Sequence, residues 1–178
     1  MALRPATLDG RGFAALHCTP TVKLLDPPPR DWARLADWLV RRYPGMPSIS
    51  ADALHAWMND PTREPPLLLD IRSAGEQAVS TLPGAHCVRN TADARRAIRA
   101  SLPRTVVAYC AVGVRSARLV RTLRREGHPA FNLAESIFGW ANRGYPLVAR
   151  GVPTSRVHPF DAKWGVLLDA DRRATLID

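Results

Sequence analysis

Apolar positions divide the chain into two patterns. From Asp31 to Tyr43 they fall at Trp32, Leu35, Ala36, Leu39, Val40 and Tyr43, the spacing of one helix face. Asp31 suits the N-cap, and Pro44-Gly45 supplies the stop. Ser50 caps a second predicted helix running to Met58, with Leu54, Trp57 and Met58 on one side. After Pro65 strands and helices alternate. Pro66–Arg72 is a nearly continuous apolar run, as in a strand buried on both faces. Thr105–Cys110 is the clearest central strand, and Ala85–Val88 and Pro129–Leu133 read as shorter ones. Helices are predicted at Ser73–Ser80, Ala92–Ala100, Val114–Glu126 (closed by Gly127) and Ser136–Asn142 (ended by Gly144). This rhythm predicts an α/β fold, an open parallel sheet flanked by helices. Met1–Pro29 is weakly patterned and reads as an arm. Ala149–Asp178 reads as an extended tail docked through Val157, Phe160, Trp164, Leu167 and Leu168. The expected division is therefore 1–47 (arm and helical extension), 48–148 (α/β domain) and 149–178 (docking tail).

The 178 residues suffice for one domain with extensions, and 46% hydrophobic with 23% charged residues is ordinary for a globular chain. No apolar run approaches the roughly 18 residues of a membrane span. The Phe13–Leu16 patch is too short for the core of a signal peptide, so a cytoplasmic placement is expected. The net charge of +9 comes almost wholly from arginine, since Lys23 and Lys163 are the only lysines. The arginines are scattered in pairs such as Arg41/Arg42, Arg95/Arg96, Arg124/Arg125 and Arg172/Arg173, without interleaved aromatics. A nucleic-acid partner is not expected; a positive field that draws in small anions is. The three cysteines Cys18, Cys87 and Cys110 cannot all pair within one chain, and none lies in a C-x-x-C spacing.

Cys110 closes the best strand. Ala111, Val112, Gly113 and Val114 follow it, and then Arg115 and Ser116 open a helix. In open α/β sheets ligands bind beyond the carboxyl ends of the strands. A helix N-terminus, a loop that Gly113 lets curl into an anion nest, and the charge of Arg115 would together favour thiolate over thiol. The alternative from position alone is a buried, inert strand cysteine. The histidines His17, His55, His86, His128 and His158 have no ligand-like spacing. Cys87 reads as inert and Cys18 as an exposed arm residue.

The segments Leu67–Arg72 (a strand ending in D-x-R), Glu76 with Pro83-Gly84-Ala85, Tyr109–Ser116 (Y-C-x-x-G-x-R-S), Gly127 to Leu133, and Ile137, Trp140, Gly144 with Pro146–Val148 occur in that order. In motif and spacing they resemble a single-domain rhodanese over roughly Ser48–Val148. The resemblance implies a rhodanese-like sheet and a sulfurtransferase. In that reading Cys110 is the nucleophile that carries a persulfide. Ala111, Val112, Gly113, Val114, Arg115 and Ser116 form the loop that binds substrate and stabilises the persulfide, and Asp70 and Arg72 brace it from behind. No metal or cofactor is implied. The partners would be a small anionic sulfur donor and a thiol or cyanide acceptor, with the extensions as surfaces for a protein partner or a homodimer.

The chain departs from the family pattern at Ser80-Thr81 and at Ala111, where a basic residue is common in thiosulfate-using members. It departs again at Glu135-Ser136, where a Gly-Gly is usual. The last change is expected to shift that loop and bring a carboxylate near the site. The second makes a persulfide or another less charged donor as plausible as thiosulfate. Two other readings stand beside sulfur transfer. A cysteine phosphatase would need five residues between Cys and Arg, and Cys110 and Arg115 bracket four. A catalytically weak binding or redox-sensing module would not need the loop to be intact.

Overall fold

The computed structural model describes residues 28–101 and 103–175. The expected arm, with Cys18 and His17, lies outside them apart from Pro28 and Pro29. The helical extension forms α1 (Trp32–Arg42), capped by Asp31, whose carboxylate accepts from the Arg34 amide at 3.0 Å. The order continues through β1 (Ser48–Ile49), α2 (Ala51–Met58), β2 (Leu67–Asp70), α3 (Ala74–Val79), β3 (His86–Cys87) and α4 (Thr91–Ala100). Then come β4 (Val106–Tyr109), α5 (Val114–Arg125), β5 (Ala130–Leu133) and α6 (Ser136–Asn142). The five strands form one wholly parallel sheet in the order β1-β5-β4-β2-β3.

The centre of the sheet is buried because its strands have no polar face to offer water, while the edge strand β3 is exposed. All four residues of β2 and of β4 are buried. Successive side chains point to opposite faces. Leu68, Val107 and Tyr109 therefore join Leu35, Leu54 and Phe138 in one apolar layer. Leu67, Leu69, Val106 and Ala108 join Ala94, Val120 and Leu123 in the other. Central β4 and β2 end side by side, with Asp70 opposite Tyr109, so the loop after β4 opens at the carboxyl edge of the sheet.

Two features differ from the pattern-based expectation. Ser48–Ile49 is a strand, paired with β5 at the sheet edge, and is too short to carry a period. The tail is not simply extended. It begins with a hairpin of β6 (Leu147–Ala149) and β7 (Val152–Thr154), joined by Arg150 and Gly151, both with positive φ (49° and 84°). Two left-handed residues are what a type I′ hairpin turn requires. Beyond it, the Val157 amide donates to the Arg172 carbonyl (2.7 Å) and the Ala174 amide to the Val157 carbonyl (2.9 Å), closing residues 157–173 into a loop. Val157, Leu167 and Leu168 are buried anchors, but Phe160 is 42% exposed. Its ring faces a guanidinium instead of the core. No helix among the described residues is long and apolar enough to cross a membrane.

Candidate active site

Cys110 lies one residue beyond β4; it is 1% exposed and lines a cavity of about 280 Å³. The chain turns sharply after it because Gly113 adopts φ 98°, a left-handed conformation that costs glycine little. A Cβ there would also stand 3.2 Å from the Asn132 amide nitrogen. The turn brings the Gly113 N–H to 3.2 Å from the Cys110 sulfur, and the Ser116 hydroxyl donates to the same sulfur at 3.6 Å. Burial pushes the Cys110 thiol up. The charge of Arg115 and hydrogen bonds from Ser116 and Gly113 outweigh it, and the net direction is down. More of the sulfur is therefore thiolate at neutral pH than in an ordinary cysteine.

The start of α6 clamps the loop from the other side. Free N–H groups in the first turn of a helix need acceptors. Here the Ile137 amide donates to the Cys110 carbonyl (3.2 Å) and the Phe138 amide to that of Ala111 (3.1 Å). The Cys110 amide in turn donates to the Ser136 hydroxyl at 2.7 Å. Ser136 is fully buried, so the Cys110 amide and carbonyl and the Ala111 carbonyl are all tied to the start of α6.

Two arginine–carboxylate pairs flank this loop. Arg115 donates to Glu76 through both terminal nitrogens, at 2.8 and 2.7 Å. Glu76 is itself placed by local chemistry. It forms a capping box with Ser73 at the start of α3, accepting from the Ser73 amide at 3.0 Å and its hydroxyl at 2.9 Å. Burial pushes the Glu76 carboxyl up, but Arg115 and Ser73 prevail and hold it at about 2. The second pair, Asp70 with Arg72, is wholly inaccessible, with the Arg72 Nε 3.0 Å from Asp70 Oδ1 and a terminal nitrogen 2.7 Å from Oδ2. The same terminal nitrogen donates to the Ser80 carbonyl, tying the end of β2 to the end of α3. The Arg72 guanidinium carbon stands 5.8 Å from the Tyr109 ring, whose hydroxyl accepts from the Leu82 amide at 3.0 Å. Asp70 and Arg72 thus support the strand end beneath the loop and do not line the cavity.

The cavity walls are mostly apolar. Ala111, Val112 and Val114 come from the loop, Pro28 from the N-terminal side, and Phe160 and Trp164 from the tail. Its cations are Arg115 and Arg118. A separate cavity of about 320 Å³, between α1 and β5, also touches Val112 but not Cys110.

A family model of the rhodanese-like domain matches residues 50–143, just over half of the chain. The chain belongs to the rhodanese-like family. Among solved structures it is similar to the thiosulfate sulfurtransferase of Pseudomonas aeruginosa, at 26% identity and a TM-score of 0.55, over 62% of this chain and 21% of that one. It shares its fold with a rhodanese-like domain from Anabaena (21% identity, TM-score 0.50, 58% of this chain and 79% of that one). It also shares it with a Rhodopseudomonas palustris protein described as a possible tyrosine phosphatase (19%, 0.50, 67% and 95%). No curated protein matches the chain.

Against the family pattern, the Glu135-Ser136 substitution turns out differently from expectation. Glu135 and Ser136 both take positive φ (56° and 55°), the conformation that two glycines would adopt freely, so the loop keeps a glycine-like path. The Glu135 carboxylate pairs with Arg143 and lines the cavity beside α1, which Val112 shares and Cys110 does not, so Glu135 does not line the Cys110 cavity. The rhodanese-like loop gathers Cys110, Ala111, Val112, Gly113, Val114, Arg115 and Ser116 in one place, and Asp70 and Arg72 sit behind it. The structure adds Glu76, Ser136, Arg118, Phe160 and Trp164. The S-x-x-E spacing at Ser73–Glu76 was the visible sign for Glu76. Nothing local marked the others as neighbours of Cys110.

Proposed function

We propose that this rhodanese-like domain is a sulfurtransferase that carries a sulfane sulfur on Cys110. The observation that carries the reading is the Cys110 sulfur beside the cavity that this residue lines, accepting from Gly113 and Ser116 while the charge of Arg115 favours its thiolate. The thiolate attacks the outer sulfur of thiosulfate or of a persulfide. The donor's sulfur–sulfur bond breaks, its electron pair leaves with sulfite or a thiolate, and Cys110 becomes a persulfide anion. The same hydrogen-bond donors and positive charge that favour the thiolate favour this anion. An acceptor thiolate or cyanide then attacks the outer sulfur and returns Cys110 to its thiolate. No metal or cofactor enters these steps. Arg115 acts through its field, because both of its terminal nitrogens are bonded to Glu76. That engagement, with the four-residue spacing, also disfavours a phosphatase, which needs its arginine free to hold a phosphoryl group in bidentate fashion.

The test is intact mass after incubation with thiosulfate and, separately, with a low-molecular-weight persulfide. Wild type should gain one sulfur, about 32 Da, and Cys110→Ser should gain none, as a thiolate nucleophile requires. No gain from either donor would leave the domain a binding or redox-sensing module.

A further inference from the structure

We infer that the C-terminal loop 157–173, which lies beyond the family match, is the specificity wall of the Cys110 cavity. It selects an organic sulfane-sulfur donor with an apolar body and an anionic group over inorganic thiosulfate. The inference rests on the sulfur-transfer reading above and names its substrate class.

Three observations carry it. First, the loop is built to hold an aromatic ring out of the core. Phe160 has φ 67°, a conformation in which a bulky side chain is strained, and such strain persists only where surrounding structure imposes it. That structure is present. The Phe160 amide donates to His158 Nδ1 at 2.9 Å, and the amides of Lys163 and Trp164 both donate to the Asp161 carboxylate at 2.8 Å. The turn is further closed by Gly165, where a Cβ would stand 3.0 Å from Pro159. The ring so presented lies 4.9 Å from the Arg115 guanidinium carbon, and it lines the Cys110 cavity together with Trp164.

Second, the cavity's cations are unequally available. Arg115 is committed to Glu76. Arg118, one turn further along α5 and exposed, enters none of the ion pairs among the described residues. One available cation suits one anionic group.

Third, the remaining walls around Cys110 are Pro28 and the side chains of Ala111, Val112 and Val114, which offer thiosulfate no hydrogen bond. They favour a donor only if it has apolar surface to bury. The donor class is therefore R–SO₂–S⁻ or an acidic R–S–SH with an apolar R. With the former, the Cys110 thiolate takes the outer sulfur. The bond between the two sulfurs breaks, and the sulfinate R–SO₂⁻ leaves with the electron pair toward Arg118.

The probes are benzenesulfinate and sulfite, the leaving groups of benzenethiosulfonate and thiosulfate, titrated against the full chain by tryptophan fluorescence. Benzenesulfinate should quench wild type saturably, with an affinity at least about tenfold above that of sulfite, the size of one aromatic contact. Phe160→Gly removes the ring yet suits the left-handed backbone, so folding is not at stake. It should weaken benzenesulfinate about tenfold, and Trp164→Phe should lose most of the quench. Arg118→Gln should weaken both anions. In sulfur loading, the rate ratio of benzenethiosulfonate to thiosulfate should fall about tenfold in Phe160→Gly. Equal affinity for the two anions, or a Phe160→Gly protein that binds benzenesulfinate like wild type, overturns the inference even if both donors load Cys110. Failure of every donor to load Cys110 overturns the sulfur-transfer reading, while the binding titration still decides what the wall selects.

Discussion

Cys87 ends β3 and Cys110 directly follows β4, on either side of β2 at the same edge of the same sheet. Asp70 is in register with Cys87 on one side and with Tyr109, the residue before Cys110, on the other. Cys87 is exposed and Cys110 buried, so accessibility alone would name Cys87 as the reactive thiol. The charges name the other. Partial burial and the Asp70 carboxylate push the Cys87 thiol up against the weaker pull of Arg72. A helix, α4, begins four residues after Cys87 as α5 does after Cys110, but neither its amides nor an arginine of its own is among the groups that act on the Cys87 thiol. Burial alone would push Cys110 up as well, but Arg115, Ser116 and Gly113 reverse the sign. The comparison teaches that this sheet edge does not activate a thiol. The loop after the strand does, through a few directed donors and one held charge.

The largest expected effect comes from releasing that held charge. Glu76→Gln leaves Arg115 with a neutral partner and removes the acidic half of the α3 capping box. It should destabilise the protein by about 2 kcal/mol, less than a wholly buried pair because Arg115 keeps 36% of its side chain in water. The sign with pH follows from Glu76, whose carboxyl is held at about 2 against an ordinary 4.5. Its contribution is present above pH 4.5 and fades as the pH falls toward 2. Urea midpoints across that window should fall more steeply for wild type than for the variant. Parallel curves would mean that the pair is decorative and that Arg115 is placed by something else.

Ser116→Ala should move Cys110 part of the way toward Cys87. It removes one hydrogen bond that favours the thiolate and leaves Arg115 and Gly113 in place. A raised thiol pKa means a smaller thiolate fraction at a given pH, so the iodoacetamide profile of Cys110 should shift to higher pH. Sulfur loading at pH 7 should fall severalfold, since one pKa unit is about tenfold in thiolate. An unmoved midpoint would assign the activation to Arg115 and the Gly113 amide alone.

How far this contrast is legible in the chain depends on the range of the interactions. The Cys110 loop is local. Its glycine, arginine and serine follow within six residues, and the strand before it is apolar throughout, so both the strand and the candidate nucleophile can be read there. The family resemblance has the same basis, and the matched family and parallel sheet agree with it. Glu76 meets Arg115 across 39 residues, and the periodicity of α3 says only that a capping box starts it. Ser136 sits in a loop whose sequence departs from the pattern, and its role depends on a backbone path that glycines would also follow. The tail is the instructive failure. Hydrophobicity ranks Phe160 with Val157 and Leu168 as an anchor, but a left-handed turn sends its ring to the cavity. A one-dimensional pattern records how apolar a residue is and not whether the core or a substrate pocket receives it.

The smallest effect is the sharpest check on the comparison. Cys87→Ser changes one atom at an exposed strand end, so it should leave stability within about 0.5 kcal/mol of wild type. It should also leave sulfur loading on Cys110 unchanged, because nothing that holds the Cys110 loop passes through Cys87. What should change is the alkylation profile read peptide by peptide. In wild type the Cys110 peptide should react at lower pH than an ordinary thiol, once reagent reaches the cavity, and the Cys87 peptide only at higher pH. In the variant the second branch disappears and the first keeps its midpoint. If the Cys87 peptide instead labels first in wild type, exposure governs reactivity here, and the field of Arg115 is too weak to overcome the burial of Cys110. If loading falls in Cys87→Ser, the sulfur passes between the two strand ends, and the inert and the activated cysteine are two stations of one relay.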